Sequence, residues 1–303
     1  MTVTFDTADQ YADLLGLHVR YRTWGDPDAG TTYVLVHGLG GSLENWGLVA
    51  PYLAEADGYV YALDLAGFGQ TVPEHYRQAR VGRNVELVEE FLRKVVGRPA
   101  VIAGNSMGGL ICLRVAGRAR VPIRGAVLVD PLIPLSPRHR PHPLVSVAFT
   151  IYTVPGLNKA FLRMRSGEEH LEGNVHEALK LVTTDVDRID PQVRAAHVDL
   201  ARARLTQTGT AESFLAAAHT TLLHGVRRRD YTKHGRSIAT PVLLLHGDQD
   251  RLINVGTARA LARRHPEWTY VEGAGIGHTP MLDQPEWVAD NILEWAASPA
   301  VVR

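Results

Sequence analysis

The 303-residue sequence has a single cysteine, no net charge and no long apolar run. Cys112 cannot form an internal disulfide, which favours a reducing cytoplasm. Lys plus Arg and Asp plus Glu both number 32, so no global field gathers nucleic acid or an anionic membrane surface. No stretch approaches the roughly 18 apolar residues that span a bilayer, and residues 1–13 carry three aspartates and no basic residue, unlike a targeting signal. We therefore expect a cytoplasmic protein without nucleic-acid or membrane partners.

Apolar runs alternate with amphipathic segments along most of the chain. At 45% hydrophobic and 21% charged residues, the chain can bury a large core. The runs predict buried strands at 33–36, 59–63, 100–103, 125–129, 241–245 and 268–271. Apolar residues three and four apart predict helices at about 46–55, 83–96, 107–119, 255–264 and 285–297. This pattern predicts an α/β fold, with a mostly parallel sheet flanked by helices and active-site loops at the carboxyl ends of its strands.

Two segments depart from this alternation. Residues 14–25 alternate polar and apolar side chains, which predicts an exposed hairpin strand at the sheet edge. Residues 131–236 contain no convincing strand, but 168–183 and 191–206 have helical periodicity. We therefore predict an α/β core made of residues 1–130 and 237–303, with a helical cap inserted at 131–236.

The motif Gly104-Asn105-Ser106-Met107-Gly108 lies between a predicted strand and a predicted helix. A serine on such a tight strand-to-helix turn is a nucleophile elbow, in which the flanking glycines let neighbouring backbone approach. The alternative is an N-cap serine in a glycine-rich turn. The placement after a strand favours Ser106 as a nucleophile.

A serine nucleophile needs two backbone N–H groups that bind an oxyanion. The residue after the nucleophile and the loop after the first strong strand, His37-Gly38-Leu39-Gly40-Gly41, are suited to this task. We assign the N–H groups of Leu39 and Met107 to the oxyanion hole. His37 lies inside the loop, so we expect it to make a structural hydrogen bond rather than to act as the base.

The general base is predicted to be His278, in a glycine-flanked loop after the last strand. Three aspartates at strand ends are candidates for the acid that orients this histidine. The loop that carries Asp248 and Asp250 must reach sideways to the histidine, so the later aspartate, Asp250, is favoured. Asp130 is the alternative acid, and Asp248 is interpreted as a turn-forming carboxylate.

Five motifs together resemble the α/β-hydrolase fold superfamily, in the order that superfamily shows. They lie at 36–41, 64–71, 104–109, 246–250 and 275–282. The chain is most similar to serine esterases and lipases with a helical cap. The resemblance implies a Ser106, His278 and Asp250 triad and argues against epoxide hydrolases and haloalkane dehalogenases, which need an aspartate nucleophile. Asn254, where relatives often have proline, is expected to cap the next helix.

The resulting hypothesis is hydrolysis of a small to medium, largely hydrophobic ester through an acyl-enzyme, with a small-molecule substrate and no metal or organic cofactor. One alternative is carbon–carbon bond hydrolysis of the meta-cleavage product type, whose elbow is similar, although Leu39-Gly40-Gly41 and Thr279 depart from that pattern. Another is a slow-turnover ligand receptor of the same fold.

Other reactive residues receive structural interpretations. Cys112 is expected to be buried and inert. The histidines of 138–142 have no carboxylate or thiolate beside them, which argues against a metal site. The arginines of 227–229 are expected to form a solvated face.

Overall fold

The computed structural model of the protein describes residues 7–134, 154, 156, 158, 167–226, 234–235 and 237–302. The predictions for 138–142 and 227–229, and both ends of the predicted cap, fall largely outside this part of the chain.

Eight strands form one sheet, and each predicted buried strand is present within two residues of its expected bounds. The strands are β1 (Gln10–Leu14), β2 (Leu17–Trp24), β3 (Thr31–Val36), β4 (Gly58–Leu63), β5 (Ala100–Asn105), β6 (Ile123–Val129), β7 (Val242–Gly247) and β8 (Thr269–Gly273).

Helices lie between the strands and after β8, and they make up most of the described residues between β6 and β7. They are α1 (Val49–Glu55), α2 (Val81–Phe91), α3 (Met107–Arg118), α4 (Glu168–Val182), α5 (Pro191–Leu205), α6 (Thr210–Val226), α7 (Val255–Ala262), α8 (Pro280–Asp283), α9 (Pro285–Ala296) and α10 (Pro299–Val302). Asn254 caps α7 as expected, because its side chain accepts a hydrogen bond from the Gly256 N–H at 2.9 Å.

The strand order is β1-β2-β4-β3-β5-β6-β7-β8, with β3 through β8 parallel and the β1-β2 and β2-β4 pairs antiparallel. Apolar side chains cover both sheet faces, in one cluster beside α2 and α3 and another beside α1 and α9. The carboxyl ends of β3, β5, β6 and β7 therefore meet at one edge of the sheet, where the loops that follow them are brought together.

Two details differ from the sequence predictions. The edge strand is β1, whereas β2 lies inside the sheet between β1 and β4. The segment 14–25 includes the turn of this hairpin, where Leu15 and Gly16 have φ of 53° and 74°, so its alternation belongs to an inner strand. Helix α6 was not predicted, because its alanines, threonines and leucines are spread around its surface without a clear apolar stripe.

Candidate active site

Ser106 occupies a strained turn between β5 and α3. Its φ is +55° and its ψ is −113°, a conformation that residues with a Cβ rarely adopt. The turn is held by the Ser106 N–H, which donates to the Val129 carbonyl oxygen at 3.0 Å, and by the Ser106 carbonyl oxygen, which accepts from the Leu132 N–H at 3.0 Å. Ser106 is partly exposed between the buried residues Asn105 and Met107, so the elbow turns this side chain away from the core.

The glycines of the elbow are required by close backbone contacts. A Cβ on Gly104 would lie 2.4 Å from the Gly108 carbonyl group, and one on Gly108 would lie 2.3 Å from the Val36 carbonyl oxygen. Real Cβ atoms do not approach this closely, so only glycine lets α3 begin directly against the ends of β3 and β5.

The loop after β3 lies against the elbow. A Cβ on Gly38 would lie 3.2 Å from the Ser106 Cβ. Met107 is the first residue of α3, where N–H groups have no acceptor within the helix. Leu39 follows Gly38, and its partly buried side chain packs on the core together with Phe214 of α6.

His37 is fully buried and bonded on both ring nitrogens. Its Nδ1 lies 2.7 Å from the Gly38 carbonyl oxygen, and its Nε2 accepts from the Leu65 N–H at 3.0 Å. Burial lowers the pKa of His37 to about 4. The neutral imidazole thus joins two loops, in agreement with its predicted structural role.

His278 and Asp250 form a buried pair at the carboxyl ends of the strands. The His278 Nδ1 lies 2.8 Å from Asp250 Oδ2, and the two side chains are 4% and 0% exposed. Asp250 Oδ1 accepts from the Leu252 and Ile253 N–H groups at 2.7 and 2.9 Å. Burial by itself raises the pKa of Asp250, but the adjacent His278 and these donors bring it below its usual value. Asp250 therefore stays ionised beside the imidazole.

The backbone of His278 is held from two sides. The Asn105 side-chain amide donates to the His278 carbonyl oxygen at 2.8 Å, which ties the base loop to the residue before Ser106. On the other side, the His278 and Thr279 N–H groups donate to the Val182 carbonyl oxygen at 2.9 and 3.1 Å. Val182 is the last residue of α4, so the base loop is bonded both to the elbow and to the inserted helices.

A second contact joins the end of α4 to the segment after the base. The Thr184 N–H and hydroxyl both donate to Asp283 Oδ2, each at 3.0 Å. Asp283 is 6% exposed, and burial raises its pKa in spite of these hydrogen bonds. The end of α4 and the residues just after it are therefore bonded both to His278 and to the segment that follows it.

The other two aspartates have different surroundings. Asp248 Oδ1 accepts from the Gly275 N–H at 2.7 Å, which fits its predicted role in a turn. Asp130 is fully buried at the end of β6, and its Oδ1 accepts from the Gly247 N–H at 2.9 Å. Asp130, His246 and Asp250 each offer a ligand atom within 4.8 Å of the others. A metal ion there would have to compete for Asp250, whose two oxygens already accept three hydrogen bonds.

Helices between β6 and β7 contact the loops that follow β3 and β4. A Cβ on Gly40 would lie 3.5 Å from the Phe214 ring of α6. The Arg204 guanidinium of α5 donates to the Gly67 and Gly69 carbonyl oxygens, both at 2.8 Å, in the loop that follows β4. Leu132 and Ile133, just after β6, belong to the same apolar cluster as Leu39 and Phe214. These contacts place apolar residues of α6 and of the segment after β6 near the elbow.

Sequence reasoning did not identify several of these contacts. His246 and Asn105 lie within recognised motifs, but only their buried hydrogen bonds reveal a positioning role. The Thr184–Asp283 contact joins residues 99 positions apart and has no local sequence signal.

Cys112 is buried as predicted, and burial raises the pKa of its thiol. Within the described ranges, no helix is long and apolar enough to cross a membrane.

Curated relatives match the chain over nearly its full length at low identity. It is 27% identical over 280 residues to the dihydrolipoyllysine-residue acetyltransferase component of an acetoin cleaving system from Cupriavidus necator, covering 91% of this chain and 66% of that one. It is 26% identical to 2-hydroxy-6-oxo-6-(2'-aminophenyl)hexa-2,4-dienoic acid hydrolase from Metapseudomonas resinovorans, covering 95% and 90%. It is also 26% identical to monoacylglycerol lipase from Mycolicibacterium smegmatis, covering 95% and 96%.

The fold is shared with solved structures. A protein from Acinetobacter baumannii AYE assigned as a lipase, lip1, superposes with a TM-score of 0.75 at 23% identity, covering 96% of this chain and 91% of that chain. A model of the alpha/beta hydrolase family matches residues 33–291, which contain the strands β4 to β8 and all the motif loops described above. On this match, together with the sheet topology, the chain belongs to the alpha/beta hydrolase family.

Proposed function

We propose that the protein is a serine hydrolase that cleaves a small to medium, largely hydrophobic carboxylic ester through an acyl-enzyme. The observation that carries the proposal is the strained, partly exposed Ser106, whose neighbour Asn105 is bonded to the loop of the buried His278–Asp250 pair. The name of the monoacylglycerol lipase relative supports ester hydrolysis.

In the first half-reaction, Ser106 Oγ bonds to the ester carbonyl carbon while its proton passes to His278 Nε2. Asp250 accepts the Nδ1–H of His278, which leaves Nε2 as the proton acceptor, and stabilises the imidazolium that forms. The N–H groups of Leu39 and Met107 are assigned to the oxyanion. When the tetrahedral intermediate collapses, the ester C–O bond breaks and the alcohol takes the proton from His278.

In the second half-reaction, His278 takes a proton from water as the water oxygen bonds to the acyl carbon. The bond to Ser106 Oγ then breaks, Ser106 recovers its proton from His278, and the carboxylic acid leaves. The balance requires only ester and water.

Leu39 follows Gly38, which lies against Ser106, and Phe214 lies beside Gly40. Leu132 donates its N–H to the Ser106 carbonyl oxygen. These apolar residues support a hydrophobic acyl group. Burying a methylene group contributes about 0.8 kcal/mol, so the two additional methylenes of a butyrate ester are worth about 15-fold in kcat/KM over acetate. We expect p-nitrophenyl butyrate to be hydrolysed faster than the acetate. Equal values for the two esters would contradict an apolar acyl site.

The identity of the nucleophile can be tested with a fluorophosphonate probe and peptide mass mapping. We expect one adduct per chain, on Ser106, and none in Ser106→Ala. The matched control is Ser237→Ala, because the Ser237 hydroxyl lies on the surface and bonds to main-chain carbonyl oxygens. Folded protein that forms no adduct on Ser106 would overturn the mechanism.

Carbon–carbon bond hydrolysis is the second candidate, supported by the 2-hydroxy-6-oxo-6-(2'-aminophenyl)hexa-2,4-dienoic acid hydrolase relative. Parallel turnover of p-nitrophenyl esters and of a vinylogous dienoate diketone separates the two reactions. A much larger kcat/KM for the dienoate would favour carbon–carbon cleavage. Slow single turnover of both, with large thermal stabilisation by a ligand, would favour a receptor.

A further inference from the structure

A second carboxyl group lies behind the His278–Asp250 pair. Asp130 directly follows β6 and has an unusual φ of +42°, and its side chain is completely buried. Its Oδ1 accepts from the Gly247 N–H at 2.9 Å, whereas its buried Oδ2 has no hydrogen-bond donor. A buried carboxylate oxygen without a donor is strongly disfavoured, so the ionised form of Asp130 is poorly accommodated.

Asp130 and Asp250 also lie too close to be ionised together. Their oxygen atoms belong to the group of atoms that lie within 4.8 Å of one another, and both side chains are 0% exposed. At this separation in a dry interior, only one of the two carboxyl groups is ionised, and the other keeps its proton.

Hydrogen bonding decides which group keeps the proton. Asp250 accepts from two backbone N–H groups and from His278, whereas Asp130 accepts from Gly247 alone. Burial, and next the charge of Asp250, raise the pKa of Asp130 well above its usual value. The pKa of Asp250 is lowered instead, so the negative charge belongs to Asp250.

The other titratable groups around Asp130 do not supply a compensating cation. His246 lies with its Nδ1 3.6 Å from Asp130 Oδ1, but its Nε2 is directed to the Ile253 carbonyl oxygen at 2.9 Å, and burial lowers its pKa. Asp283 adds a further negative field at Asp130, and Tyr270 also interacts electrostatically with it. A neutral His246 and two acidic neighbours leave the proton on Asp130.

We propose that Asp130 is held as a neutral carboxylic acid that donates a hydrogen bond from Oδ2 to the Asp250 carboxylate. In this arrangement Asp130 is a positioning residue: it fixes the orientation of Asp250, which orients His278. The assignment of the proton is independent of the reaction catalysed, whereas its kinetic consequence rests on the proposed function.

The proton can be observed directly by infrared spectroscopy. We expect the folded protein at pH 7 to show the carbonyl band of a protonated carboxylic acid, shifted on exchange into D₂O, and Asp130→Asn to lack it. Asp283→Asn is the matched control, since it removes a neighbouring buried carboxyl group and must leave this band in place. A folded wild-type protein without the band, or a band that survives in Asp130→Asn, would refute the assignment whatever the enzyme hydrolyses.

The kinetic test compares a conservative and an apolar substitution. Asp130→Asn keeps an N–H donor toward Asp250 and an acceptor for the Gly247 N–H, so we expect kcat to fall by about threefold to tenfold. Asp130→Leu removes both, and we expect a fall of about 10- to 100-fold and a shifted acidic limb of the pH–rate profile. If folded Asp130→Asn loses as much activity as Asp250→Asn, Asp130 is an ionised triad acid and the proposal is wrong.

Discussion

A protonated Asp130 makes the stability of the protein depend on pH in a way that Asp130→Asn removes. The folded-state pKa of Asp130 lies well above the unfolded value of about 3.9. The stabilisation from this group is complete below the unfolded pKa and is lost as the pH rises through the folded pKa. The asparagine variant has no proton to lose at this site, so it should become progressively more stable relative to wild type as the pH rises.

The size of this effect follows from the one proton that Asp130 retains in the folded wild-type protein and releases on unfolding. Between about pH 5 and the folded-state pKa, the difference in unfolding free energy between Asp130→Asn and wild type should grow by about 1.4 kcal/mol per pH unit. An unfolding entropy of about 2.1 cal/mol/K per residue over 303 residues converts this to a Tm difference that grows by about 2 °C per pH unit. The pH at which the difference levels off gives the folded-state pKa of Asp130.

The assay is thermal unfolding of both proteins from pH 5 to pH 9, with Asp130→Leu as a third arm. The leucine variant also lacks the proton and should follow the same slope at a lower stability, which separates titration from packing. A Tm difference that stays constant across this range would show that Asp130 is ionised in the folded protein and would refute the reasoning.

Three further predictions concern the pair, the elbow and the inserted helices. Asp250→Asn should lower kcat by about 10⁴-fold, because His278 loses its anionic partner; a loss below about tenfold, measured by steady-state kinetics, would exclude Asp250 as the acid. Gly108→Ala should destabilise the protein by about 3 kcal/mol, since its Cβ would lie 2.3 Å from a main-chain carbonyl oxygen of β3. Urea unfolding measures both this variant and its control, Gly82→Ala, which has open space around its Cβ and should be neutral or stabilising. Thr184→Val should cost about 1 kcal/mol and lower kcat more than it raises KM; an unchanged kcat would show that the end of α4 does not position the base.

Much of the fold was predictable because the local pattern of apolar residues agrees with their burial in the tertiary structure. The strands β3 to β7 are continuous apolar runs, and the structure places both of their faces in the core. Met107 was expected to begin a helix, and α3 begins there. Helix α6 was missed because its evenly spread apolar residues do not distinguish a helix from other buried structure.

The sequence by itself determined which residues could form the site. Its motifs name Ser106, His278 and three aspartates at strand ends, and their order indicates the α/β-hydrolase fold. These motifs do not determine how the loops meet, since the partners lie far apart along the chain: Asp250 and His278 are 28 positions apart, and Asn105 and His278 are 173 apart.

Only the tertiary structure decided which aspartate meets the histidine. In the structure, Asp250 Oδ2 lies 2.8 Å from His278 Nδ1, whereas Asp248 accepts a hydrogen bond from the Gly275 N–H in a turn. Asp130 is buried behind the pair, and its Oδ2 has no hydrogen-bond donor. The physical reason is that the charge of a carboxyl group depends on its burial and its donors. Those are set by the packing of the loops after β6, β7 and β8, and no local sequence pattern specifies them.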